Sequence, residues 1–128
     1  MGVRMGYVFD RDAARRYAAW ARSPQGQSMD RWLVSCLPGL LDIHAGERVL
    51  DIGCGQGSHL LFLRRLGLDI SGVDASPHMI KRARERLGDK CTLETGLAED
   101  LPFEDNTFDL STMIHTLEFL ENPTQALR

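Results

Sequence analysis

With 128 residues, 26% of them charged and 43% hydrophobic, the chain has the size of one domain and can bury a core. A formal net charge of −3 offers no basic face for a nucleic acid, and no apolar run approaches the ~18–20 residues of a membrane span. Cys36, Cys54 and Cys91 form no C-x-x-C pair and read as reduced thiols of a cytoplasmic protein, not as a disulfide or zinc framework.

Near the N-terminus, Arg4, Asp10, Arg11 and Asp12 interrupt the apolar core that a secretory leader would need. Residues 10–22 read as an Ala- and Arg-rich helix, and Ser23-Pro24-Gln25-Gly26 as the turn that breaks it. Met29, Trp32, Leu33, Cys36, Leu37, Leu40 and Leu41 recur at helical spacing, so a second helix is expected, ended or bent by Pro38-Gly39. Residues 1–44 thus form an N-terminal helical segment.

From Arg48 strand and helix patterns alternate, which predicts an α/β fold with a parallel sheet built from right-handed βαβ units. A helix over about 57–66 turns Leu60, Leu61, Leu63 and Leu66 inward, with Arg64 and Arg65 at its end and Gly67 as its stop. Ser76 and Pro77 open the next helix as N-cap and first residue. Its apolar stripe is Met79, Ile80, Ala83 and Leu87, and Gly88 stops it. Lys81, Arg82, Arg84, Glu85 and Arg86 read as its solvated face rather than as a nucleic-acid patch. Further strands are expected over Leu68–Val73, Thr92–Thr95 and Phe108–Ile114, and a helix begins near Thr124.

The first strand of that alternation leads into the most informative stretch, Val49-Leu50-Asp51-Ile52-Gly53-Cys54-Gly55-Gln56-Gly57. A strand that ends in an acid and runs into a glycine turn and a helix is a nucleotide-type cofactor site, at the strand end where open α/β sheets hold ligands. Gly53, Gly55 and Gly57 would let the backbone approach such a ligand without a Cβ in the way. The dinucleotide fingerprint wants its third glycine at position 58, which is Ser58, so a cofactor without a pyrophosphate is favoured over a nicotinamide one. About twenty residues on, Asp74 closes the second strand, where a carboxylate can accept from two vicinal ribose hydroxyls. Asp51 either orients the turn or holds a ligand ammonium through water. Cys54, within the turn, is counted with the cofactor-binding residues and reads as a small filler rather than a nucleophile, since no base in the sequence is placed to activate it. His44, His59 and His78 lack metal-ligand spacing and read as surface or capping residues.

At these residues the chain resembles the class I S-adenosylmethionine-dependent methyltransferases that act on small molecules. Gly96-Leu97-Ala98-Glu99-Asp100-Leu101-Pro102-Phe103 is similar to that family's G-x-A-x-x-L-P-F segment, which lines the adenine. Asn106-Thr107-Phe108-Asp109-Leu110 resembles the entry to its fourth strand, and His115-Thr116-Leu117-Glu118-Phe119-Leu120 the H-x-L-E-H-L run after it. Two positions depart: Leu97 stands where many relatives carry an Asp that bonds the adenine amine, and Phe119 replaces a common second His.

The resemblance implies a Rossmann-like fold with strand order 3-2-1-4 in this chain, and S-adenosyl-L-methionine as cofactor. Residues 45–128 would be the N-terminal half of a methyltransferase domain, with the remaining strands missing and residues 1–44 as its cap. It implies that Ala75 and Met79 flank the adenine, that Ala98 and Glu99 meet its edge, and that Ile114 also borders the cofactor. Met79 is equally readable as plain core. Tyr17 would be part of a lid or would pack on the sheet domain, and Trp20 is expected in the core. His115 is the candidate for orienting an acceptor or removing its proton, against a plain packing role.

The expected function is methyl transfer to a small-molecule acceptor. The alternative is a truncated or catalytically silent S-adenosylmethionine-binding module, and this stretch of chain alone is expected to be inactive. The fourth strand carries none of the lysines or prolines that guard natural sheet edges, so self-association through it is expected.

Overall fold

A computed structural model describes residues 6–128; the first five residues of the expected cap lie outside the described residues. Two helices, α1 (Arg11–Ala21) and α2 (Pro24–Leu40), precede β1 (Arg48–Ile52), α3 (Ser58–Arg65), β2 (Asp69–Asp74) and α4 (Pro77–Leu87). After these come β3 (Thr92–Thr95), β4 (Leu110–Thr112) and a short α5 (Pro123–Ala126). The four strands form one parallel sheet in the order β3-β2-β1-β4, the order that the family resemblance implies.

Alternation sorts the strand residues onto two faces. Val49, Ile70 and Leu93 meet Leu60 and Leu63 of α3 and Ile80, Ala83 and Leu87 of α4 in the larger core. Full burial of each such aliphatic side chain contributes roughly 1.5–3 kcal/mol, so this face carries most of the apolar stabilisation. On the other face Leu50, Ile52 and Val73 are covered by Leu101, Phe103, Phe108 and Met113 from the segments flanking β4. A carboxylate registers β4: Asp109 accepts from the Arg48 backbone N–H at 2.9 Å, just before the two strands pair.

Several local expectations are corrected. Ser23-Pro24-Gln25-Gly26 is a helix start: the Ser23 hydroxyl accepts from the Gly26 N–H at 3.1 Å, and Pro24 occupies the first turn, where it has no bond to lose. As expected, α2 ends just past Pro38-Gly39, at Leu40, with Pro38 in its last turn. The stripe of α2 is largely solvated, with Met29, Trp32 and Leu40 exposed and Leu37 buried. Its 3.6-residue spacing gave the helix and overstated its burial, because only part of α2 lies against the domain. Strand β4 is three residues long instead of seven, since the chain turns away at Met113.

Gly57 serves packing. It caps α3 at φ +84°, and a Cβ there would sit 2.9 Å from Leu87 Cδ1 on α4. Gly57→Ala combines left-handed strain with a clash in the core and is expected to lower stability by roughly 1–3 kcal/mol, read by urea unfolding.

Candidate functional site

The carboxyl ends of the strands open into a cavity of about 640 Å³, roofed by α1, α2 and the segment before them. Its floor is the β1–α3 turn. Gly53 has φ +75°, and a Cβ on it would run into the Thr116 side chain. Gly55 has φ +55°, and a Cβ there would meet only Met79 Cε at 3.8 Å, so the missing side chain leaves the space above the turn open. Gly57 is absent from the cavity lining, so of the three glycines it is the one that faces a helix.

Asp74, at the tip of β2, holds this turn. One carboxylate oxygen accepts from the Gly55 N–H and the other from the Ser76 N–H, both at 2.9 Å. Each oxygen keeps a second lone pair, which suits a pair of neighbouring hydroxyls. Burial raises the Asp74 pKa, and the two N–H donors act against that rise. Ala75 and Met79 line the cavity beside it, and Met79 is almost wholly buried.

Asp51 lies beneath the turn and outside the cavity lining. Its carboxylate accepts from the Thr112 hydroxyl at 2.8 Å, tying β1 to β4 at the residues that pair in the sheet. Burial pushes its pKa up to about 7, with the Thr112 bond opposing and the Asp74 charge adding to the rise. The Asp51 side chain is thus a tie between β1 and β4 beneath the turn.

Cys54 is buried, and burial, with the Asp51 and Asp74 charges, drives its thiol far above the ordinary range. That is a filler, inert as a nucleophile. Ala98 and Glu99 line the cavity from the β3 side, and Glu99 Oε1 accepts from the Asn122 N–H at 3.2 Å. Ile114 and His115 line it from the end of β4, where His115 takes φ +53° and is exposed.

Tyr17 is half-buried in the cavity wall, its ring 5.9 Å from Phe9 and 5.8 Å from Trp20. Tyr17 thus both lines the cavity and packs on its aromatic neighbours. Burial raises its phenol pKa, followed by the Asp30 charge, while Arg86 lowers it and Asp74 raises it. Trp20 is 44% exposed and lines the cavity, which corrects the core expectation: α1 buries Ala13, Ala14 and Ala18 instead.

Sequence reasoning missed part of the lining. His59 is neither surface nor cap: it is half-buried in the wall, with Nε2 3.4 Å from Asp30 Oδ1 on α2. Arg86, expected on the solvated face of α4, lines the cavity and donates to the Ser58 hydroxyl at 3.3 Å. Tyr7 and Phe9 form part of the roof. The Tyr7 N–H donates to the Phe119 carbonyl at 2.9 Å, and the Ser76 hydroxyl donates to the Phe9 carbonyl. The aromatic pair just ahead of the Asp10 cap was the available signal for this segment.

Residues 50–128 match a family model described as a methyltransferase domain. The chain belongs to that family. It is 41% identical over 86 residues to an uncharacterised methyltransferase of Synechocystis, covering 67% of this chain and 39% of that protein. To the demethylmenaquinone methyltransferase of Tropheryma whipplei it is 37% identical over 84 residues, covering 65% of this chain and 35% of that protein. In fold it is similar to a candidate S-adenosyl-L-methionine-dependent methyltransferase of Methanococcus maripaludis, with TM-score 0.81 and 22% identity over all of this chain and 60% of that one. The chain thus spans less than half the length of the curated relatives it matches. Among the described residues no helix is long and apolar enough to cross a membrane.

The Asp51 carboxyl makes stability pH-dependent. Because its folded pKa of about 7 lies above the ordinary 3.8, its contribution is full below about pH 4 and is lost as pH rises through 7. Asp51→Asn, which can still accept from Thr112, should flatten the fall in stability between pH 4 and 7. It should be more stable than wild type at pH 8 by roughly 2–4 kcal/mol, measured by urea unfolding at both ends of that window.

Proposed function

We propose that this domain binds S-adenosyl-L-methionine and serves methyl transfer to a small-molecule acceptor. The observation that carries the reading is Asp74: a carboxylate at the lip of the cavity, fixed by two backbone N–H groups, with a free lone pair on each oxygen. It suits a ribose diol. Gly53 and Gly55 expose backbone where a ligand chain would lie, while Ala75, Met79 and Ala98 offer small or flexible apolar surface for an adenine. The cofactor, when bound, supplies a methyl group on a positively charged sulfur. The chain's own work is to hold and orient the reactants, which can supply roughly 7–11 kcal/mol of barrier lowering when alignment is good, and to keep water out beneath α1 and α2.

Membership of the methyltransferase domain family supports this reading over a nicotinamide site, as does Ser58 in place of a third fingerprint glycine. Asp74→Ala should weaken binding of S-adenosylhomocysteine by roughly 1.5–3 kcal/mol in calorimetric titration, the size of a lost charge-assisted hydrogen bond. Unchanged affinity would remove the ribose role.

For partners, we propose a second copy of this chain alongside the small-molecule acceptor. Among the described residues strand β4 pairs with β1 on one side only, and exposed Leu117 and Phe119 follow it in the chain. Sedimentation at rising concentration should show reversible self-association. A Ser111→Lys variant, which places a charge on that edge, should shift it toward monomer.

A further inference from the structure

A second groove, of about 480 Å³, lies where α1 meets α4. Arg15, Arg16 and Arg22 line it from α1 and its C-cap, Arg82 lines it from α4, and Asp12 supplies its one carboxylate. Arginine is always protonated in a folded protein, so the groove carries surplus positive charge in a chain whose formal net charge is −3. Arg82, read from sequence as part of the solvated face of α4, is half-buried here. The two walls are tied together at one end, because the Ser76 hydroxyl that caps α4 donates to the Phe9 carbonyl, beside the Asp10 cap of α1.

Other arginines of α4 have partners. Arg84 donates to the Leu93 carbonyl at 2.9 Å, and Arg86 to the Ser58 hydroxyl at 3.3 Å. Among the described residues the four guanidinium groups of the groove form no ion pair, with Asp12 or any other acid, and donate no side-chain hydrogen bond. Ala18 and Ala19, the remaining lining residues, are too short to fill the space between them. Like charges gathered without partners repel, and an anion placed among them turns that repulsion into attraction. Guanidinium forks match phosphate oxygens two at a time. We propose that the groove between α1 and α4 is a binding site for a phosphate monoester group, separate from the cavity at the strand ends.

The balance of charge selects this ligand class. A phosphate monoester brings nearly two negative charges and three terminal oxygens, whereas a carboxylate brings one charge and leaves most of the donors unused. A nucleic-acid backbone needs a basic track for successive phosphates. Here the basic residues meet in one groove, and the remainder of the chain is acidic. Ala18 and Arg22 border both this groove and the larger cavity. A phosphate bridging Arg82 to the arginines of α1 would therefore fasten a helix of the cavity roof to α4.

Inorganic phosphate is the probe, titrated at pH 7 and constant ionic strength into isotope-labelled chain while the arginine Nε–H and backbone amide signals are followed. Saturable shifts should centre on α1 and on Arg82. Arg82→Gln should weaken binding about tenfold, the size of a lost charge-assisted hydrogen bond, and Arg82→Lys about threefold, because a point charge does not reproduce the fork. Lys81→Gln removes the same charge one residue away and outside the groove, and should stay within about twofold of wild type. Arg16 is exposed, so Arg16→Gln, with about a fivefold loss expected, carries the test if Arg82→Gln does not fold. Phosphatidylcholine vesicles with and without phosphatidic acid separate the two sources of such a group. Co-sedimentation that requires both phosphatidic acid and Arg82 assigns the site to a lipid headgroup. Saturable phosphate binding without co-sedimentation assigns it to a soluble phosphate ester. No response to either probe, shifts that rise without saturating, or shifts centred on Gly55 and Asp74 overturn the proposal. Equal losses in Lys81→Gln and Arg82→Gln overturn it too, by reducing the effect to overall charge.

Discussion

The working end of this sheet depends on one carboxylate. Asp74 receives the Gly55 N–H on one oxygen and the Ser76 N–H on the other, and so fixes the β1–α3 turn to the start of α4. Hydrogen bonds to a charged acceptor contribute roughly 1.5–3 kcal/mol each, enough to hold a glycine turn that would otherwise sample many conformations. Left-handed φ angles at Gly53, Gly55 and Gly57 become a single defined shape under that restraint. The carboxylate that shapes the turn is also the one presented to the cavity, so the order of the turn and the chemistry of the cavity rim share their cause.

From Asp74 the restraint passes outward to the roof. Ser76, whose backbone bonds the carboxylate, caps α4 through its hydroxyl oxygen and donates from that hydroxyl to the Phe9 carbonyl. Tyr7, two residues earlier, bonds the carbonyl of Phe119 beyond β4. The segment before α1 is thereby pinned to both sides of the cavity. By contrast α2 buries little beyond Gly26 and Leu37, and its Asp30 carboxylate lies 3.4 Å from His59 Nε2 on α3. Segments with few buried contacts open at low cost, so α2 is the least tightly held part of the roof.

Much of this was legible in the sequence because the deciding residues are local. Gly53, Gly55 and Asp74 act through backbone geometry and strand position, and Ser76-Pro77 through helix-start chemistry, all of which spacing along the chain reveals. The stripe of α4 was readable for the same reason, since Met79, Ile80, Ala83 and Leu87 all turn inward. Gly57 followed the pattern of its neighbours but answers to Leu87, thirty positions away. His59 and Arg86 were hidden for a similar reason. Each sits on a helix whose periodicity marks it as polar, and only the packing of α2 above the turn makes that polar face a cavity wall. Met29 and Trp32 show the reverse error, where helical spacing implied burial that no neighbour supplies.

The proposed site for S-adenosylmethionine consists of the glycine turn and Asp74. Amide chemical-shift mapping with S-adenosylhomocysteine tests it most directly. The predicted result is a saturable perturbation centred on Gly53, Gly55, Asp74, Ala75 and Ala98, with the amides of the outer α4 face unaffected. Saturable binding that leaves Gly55 and Asp74 unperturbed, or no binding at millimolar ligand, would contradict it.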